Sequence, residues 1–124
     1  MIEVYREILP ESYLLILADD QQAEETSPLA KALKKASNSG KRNVWVDCSH
    51  LHHLSASTVE LLLKYNQKLR RRHMKMVLCH LDDTAQADVR RVPAAAKLPV
   101  VPTLLDADRL CHAAPRSTGN RATQ

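Results

Sequence analysis

Phenylalanine is absent from this chain, and Trp45, Tyr5, Tyr13 and Tyr65 are its only aromatic residues. A core must therefore be built from Leu, Val, Ile and Ala. Gly40 and Gly119 are the only glycines, so no glycine-rich phosphate loop can form. No apolar run approaches the roughly 20 residues of a membrane-spanning helix. The N-terminus, Met1-Ile2-Glu3-Val4-Tyr5-Arg6-Glu7, has no apolar signal-peptide region. Cys48, Cys79 and Cys111 are odd in number and lack paired spacing. That favours a reducing, cytoplasmic setting over a disulfide framework. No Ser-His-Asp or Cys-His ordering sits in a recognisable turn, so catalytic residues and cofactors are not expected.

What is present is ordinary for one globular domain: 124 residues, 44% hydrophobic and 26% charged. The net charge of +4 is unevenly spread. Lys64, Lys68, Arg70, Arg71, Arg72, His73 and Lys75 crowd one stretch, while Asp19, Asp20, Glu24 and Glu25 make the first third more acidic. The basic run could track phosphates, but nucleic-acid grooves usually interleave exposed aromatics, which this chain lacks. A solvated helix end matched to the helix dipole accounts for it, and no nucleic-acid partner is expected.

The loose alternation of Val4–Leu9 and the apolar run Tyr13–Ala18 predict a hairpin across Pro10-Glu11-Ser12. Asp19–Glu25 reads as a polar connection. Ser27-Pro28 is a helix start, with Leu29, Ala32, Leu33 and Ala36 at helical spacing and Gly40 placed to close the end. Strand Val44–Cys48 follows, then a helix from Ser57 to about Arg72 with Val59, Leu62, Leu63, Asn66 and Leu69 on one face. Met74–Cys79 reads as a strand. Asp82-Asp83-Thr84 can cap a short helix running to Val92, ended by Pro93. Val100-Val101 is a brief strand, and Asp106 is placed to cap a helix from Ala107 to Ala113. Residues 114–124 have no apolar spacing and read as a disordered tail beyond a 1–113 domain. The order β-β-α-β-α-β-α-β-α predicts an α/β fold: a mixed, largely parallel sheet of about five strands with about four helices.

Three features of this order resemble the STAS domain, a family that includes bacterial anti-sigma-factor antagonists and cytoplasmic tails of sulfate transporters. The first is Val44-Trp45-Val46-Asp47-Cys48-Ser49-His50-Leu51-His52-His53-Leu54-Ser55-Ala56-Ser57-Thr58-Val59-Glu60-Leu61-Leu62-Leu63, the second Leu69–Leu78, and the third Val101-Pro102-Thr103-Leu104-Leu105-Asp106-Ala107. The resemblance spans residues 2–113. It implies a non-enzymatic protein-interaction domain in a bacterium, switched by phosphorylation of a loop hydroxyl by an anti-sigma-factor-type serine kinase. The family carries that hydroxyl one or two residues after an Asp. Here Ser55 stands at the Asp position, Ala56 at the first hydroxyl position, Ser57 at the second, and Thr58 replaces the usual Gly. Ser57 is thus the acceptor candidate, with Ser55 and Thr58 as weaker ones. The implied partner surface comprises His50, His52, His53, Ser55, Ser57, Thr58, Glu60 and Lys64. The missing acidic neighbour supports a second reading, a non-phosphorylated scaffold subunit of a transport- or lipid-associated complex.

The residues around Ser57 also have a purely structural account. Ser57-Thr58-Val59-Glu60 fits a capping box in which Ser57 is the N-cap and Glu60 reaches back to its amide. The two accounts are compatible, since a cap residue can also accept phosphate. Cys48, His50, His52 and His53, with Cys79-His80 at the next strand end, offer soft ligands for a metal sensor. Their spacing matches no standard zinc site, so no metal is expected. The Asp19-Asp20 and Asp82-Asp83 pairs, with Asp47, invite comparison with a phospho-accepting receiver domain. That fold needs another strand and helix before its acceptor, and only one helix fits here.

Overall fold

In the computed structural model, residues 2–19 and 27–113 are described. The expected polar connection after Asp19 and the expected tail 114–124 lie almost wholly outside them. Five strands form one sheet in sequential order. β1 (Ile2–Ile8) pairs antiparallel with β2 (Ser12–Asp19), the expected hairpin. β3 (Asn43–His50), β4 (Lys75–Cys79) and β5 (Val100–Val101) each run parallel to the strand before. The sheet is therefore mixed and mostly parallel, with α1 (Ser27–Ser37), α2 (Ala56–Arg71), α3 (Asp83–Arg90) and α4 (Leu104–Ala113) around it.

Strand alternation sorts the apolar residues into two layers. Leu15 and Leu17, Val44, Val46 and Cys48, and Met76 and Leu78 pack beneath Leu29, Leu33, Val59, Leu62, Leu69, Ala85 and Val89 of α1, α2 and α3. Leu14, Trp45 and Val77 turn the other way and meet Ala107 of α4. Trp45 is nearly buried there, and its indole N–H donates to the sulfur of Cys111 at 3.4 Å. Burial on both faces explains why Tyr13–Leu17 reads as a continuous apolar run.

Strand ends shift by one or two residues, β3 reaching His50 instead of Cys48, and three helix boundaries differ from expectation for identifiable reasons. α4 begins at Leu104, not Ala107, because Thr103 supplies the cap: its Oγ1 accepts the Asp106 amide at 3.1 Å and donates to the Asp106 carboxylate at 2.7 Å. Asp106 thus answers the cap through the Thr103 hydroxyl. Second, α3 closes at Arg90, and Pro93 opens a 3-10 helix, Pro93–Lys97, where its fixed φ and missing N–H fit the first turn. Third, α2 starts at Ala56, which moves its cap from Ser57 to Ser55.

α2 ends through a Schellman motif made without glycine. The His73 amide donates to Arg70 O at 3.1 Å and the Met74 amide to Leu69 O at 2.8 Å, with His73 in the left-handed region at φ 61°.

Candidate functional site

The loop from β3 to α2 is built on two buried side chains, Leu51 and Leu54. Polar anchors fix the backbone between them. The Asp47 carboxylate accepts the Ser49 amide at 2.9 Å, and the Leu51 amide donates to Cys48 O at 3.0 Å. Asp19 accepts the His52 amide at 3.1 Å, and Asp88 accepts the Leu54 amide at 2.9 Å. The His52 ring meets Asp82 at 3.2 Å and the His53 ring meets Asp88 at 3.7 Å. Asp82 also caps α3 by accepting the Ala85 amide at 2.8 Å. That backbone bond, then the His52 contact, hold the Asp82 carboxyl below the usual aspartate range. The loop is thus tied to the end of β2 and to both ends of α3 by residues far away in sequence.

Leu54 is followed by the N-cap. Ser55 has extended backbone (φ −69°, ψ 158°), its Oγ accepts the Thr58 amide at 3.2 Å, and its carbonyl accepts the Val59 amide at 3.0 Å. Leu54 before the cap and Val59 at the fourth helical position lie in one buried cluster, the arrangement of a hydrophobic staple. The expected capping box on Ser57 is therefore not formed. Ser57 is the second helical residue, and Glu60 lies beyond the third position from which a side chain reaches back. The signal that identifies the true cap is the Leu54/Val59 pair bracketing Ser55.

Ser57 is exposed, with its Oγ 3.1 Å from Ser55 Oγ. Ser55 is exposed but engaged three ways, since the Thr58 hydroxyl also lies 2.9 Å away. Thr58 is buried (2% exposed), which removes it from both the accessible acceptors and the contact surface. His50, His52, His53, Glu60 and Lys64 are all exposed. Beside the helix start lies a cleft of about 380 Å³ lined by His53, Leu54, Ser55, Ala56, Asp88 and Arg91.

The soft ligands of the less favoured metal-sensor reading are not gathered into one set. Cys48 is buried toward α1 and α2, while His52 and His53 turn to carboxylates on α3 and its cap. Among the described residues, the donor atoms that do converge are those of Asp47, Cys79 and His80, within 4.8 Å of one another. Burial, reinforced by Asp47, pushes the Cys79 thiol up to about 12, which opposes the thiolate a metal would need. Burial likewise pushes the Cys48 thiol up, with Cys79 and Asp47 adding to it.

Residues 20–107 match the family model of the STAS domain. No curated protein sequence matches the chain. Among solved structures, the chain is similar to an anti-sigma factor antagonist from Mycobacterium paratuberculosis, with 17% identity over 89% of this chain and 93% of that one and a TM-score of 0.74. An anti-sigma-factor antagonist (STAS) domain protein from Planctomyces limnophilus matches at 17% identity over 91% and 98%, with a TM-score of 0.71. The phosphorylated form of the Bacillus cell fate determinant SpoIIAA matches at 14% identity over 89% and 99%, with a TM-score of 0.61. At these identities the likeness is one of fold.

Proposed function

The chain belongs to the STAS domain family, and from that membership we propose that it is a protein-docking module whose contact surface is the pinned loop His50–Leu54 and the start of α2. The observation that carries this is the exposed Ser57 hydroxyl, held at the N-terminal turn of α2 above a loop fixed by Asp19, Asp82 and Asp88. A rigid loop loses little freedom on docking, so a modest interface suffices without any chemistry by the domain itself.

In this reading the partner is an anti-sigma-factor-type serine kinase, and Ser57 is its substrate. A phosphate on Ser57 would face the unpaired amides of the first helical turn, which favour a dianion. The same group adds charge and bulk to a docking surface that already contains Glu60, and so weakens the complex. The solved phosphorylated form of SpoIIAA shows that this fold accommodates such a group in a relative.

The test is to incubate the protein with ATP and a serine kinase that it captures, and to locate phosphate by mass spectrometry. Phosphate on Ser57, with Ser57→Asp binding the kinase at least about tenfold more weakly than Ser57→Ala, supports the switch. No phosphate, and equal affinity for both variants, replaces it with constitutive docking as a scaffold subunit.

A further inference from the structure

The opposite end of the sheet carries a second concave feature. A cavity of about 780 Å³ opens where β3 and β4 begin and where the chain enters β5. Its apolar wall is contributed by Met74, Met76, Pro99 and Leu110. Arg42, Arg70, Lys75 and Lys97 stand around it, and no acidic residue lines it. None of these four cationic groups has an ion-pair partner among the described residues.

The decisive residue is Asn66, on the α2 face that packs on the sheet. It is 3% exposed and lines this cavity. Among the described residues its side-chain amide has no hydrogen-bond partner, although a leucine could fill the same interior position at no polar cost. Arg70 complements the negative end of α2 in any case and needs no ligand to account for it. Asn66 has no such account. A buried, unsatisfied amide at an apolar wall beneath unpaired cations is the composition of a small-molecule anion site.

We infer that this cavity binds an organic phosphate, its apolar body against Met74, Met76 and Leu110, its dianionic head among Arg42, Arg70, Lys75 and Lys97, and one polar atom bonded to Asn66. A dianion suits four converging cations better than a single carboxylate does. The site faces away from Ser57, so occupancy and docking can be measured separately on the same protein.

The experiment titrates the full chain with decyl phosphate below its micelle concentration, AMP, inorganic phosphate and decanol, by calorimetry and by amide NMR. The expected result is saturable binding of decyl phosphate or AMP at least about tenfold tighter than inorganic phosphate and decanol, with the Asn66 side-chain NH₂ resonances shifting. The tighter of the two organic phosphates distinguishes an alkyl, lipid-like source from a nucleotide one. Arg70→Ala/Lys97→Ala should weaken binding about tenfold and make what remains less sensitive to salt. Asn66→Leu should weaken it while leaving the protein folded, as checked by circular dichroism. No saturable binding of either organic phosphate up to about 1 mM, or binding indifferent to both variants, overturns the proposal.

Discussion

Ser55 Oγ lies 2.9 Å from Thr58 Oγ1 and accepts the Thr58 amide at 3.2 Å, so one exposed hydroxyl is spent on starting α2 and its neighbour Ser57 is left available. The division of labour between two serines two residues apart is what separates scaffold from candidate switch.

Substituting each serine should expose that division. Ser55→Ala loses the cap and should cost about 1 kcal/mol of stability, whereas Ser57→Ala should stay within about 0.5 kcal/mol of the parent. Urea unfolding midpoints of the two variants measure the difference, and a larger loss for Ser57→Ala would return the cap to Ser57.

Asp88 is the hub of the loop's attachment to α3. It accepts the Leu54 amide at 2.9 Å, faces His53 and pairs with Arg91 at 3.3 Å. Asp88→Ala leaves the Leu54 amide without its acceptor and should cost about 1–2 kcal/mol. Hydrogen exchange should show the Leu54 amide losing protection while β3 keeps its own.

Acid should loosen the same loop through Asp82, whose carboxyl is held below the usual aspartate range by the Ala85 amide and then by His52. A depressed value in the folded state means that its contribution is complete above the ordinary aspartate range. It is then lost as pH falls through the depressed value. Unfolding midpoints followed from neutral pH downward should therefore drop less steeply on the acid side for Asp82→Asn than for the parent. Identical acid limbs would remove Asp82 from the account.

His73 closes α2 at φ 61°, a conformation that suits glycine better than any residue with a Cβ. His73→Gly should raise stability by about 0.5 kcal/mol, the relief of strain exceeding the added freedom of the unfolded chain. Thermal melts of the two proteins check the sign.

Much of the architecture is legible in the sequence because it rests on local pattern. The unbroken apolar run at Tyr13–Leu17, the spacing of Leu29, Leu33 and Ala36, and the apolar run Val44–Val46 each specify an element and the face it buries, although β3 continues past the polar break after Cys48 to His50. Caps were harder to place. Ser55 and Ser57 offer the same hydroxyl, and only the burial of Leu54 and Val59 on either side selects between them. Thr103 and Asp106 are equally hard to tell apart by pattern, since both belong to one reciprocal pair. The loop's anchors were not legible at all. Asp19, Asp82 and Asp88 reach it across 30 to 34 residues of chain, a separation that no periodicity encodes. The basic run from Lys64 to Lys75 reads as a solvated helix end, and the amide of Asn66 within it reads as one more position of the helix's buried face. Only the folded chain shows that none of the described residues satisfies it.

Trp45, the sole tryptophan, faces α4 and donates to Cys111, while Tyr13 and Tyr65 lie in the other apolar layer. The buried chromophores on the two sides of the sheet thus differ, Tyr5 being exposed on β1. Indole emission follows the seating of one terminal helix, and tyrosine absorbance follows the larger body. An optical melt at two wavelengths can resolve whether that helix departs before the rest, without a label or a mutation.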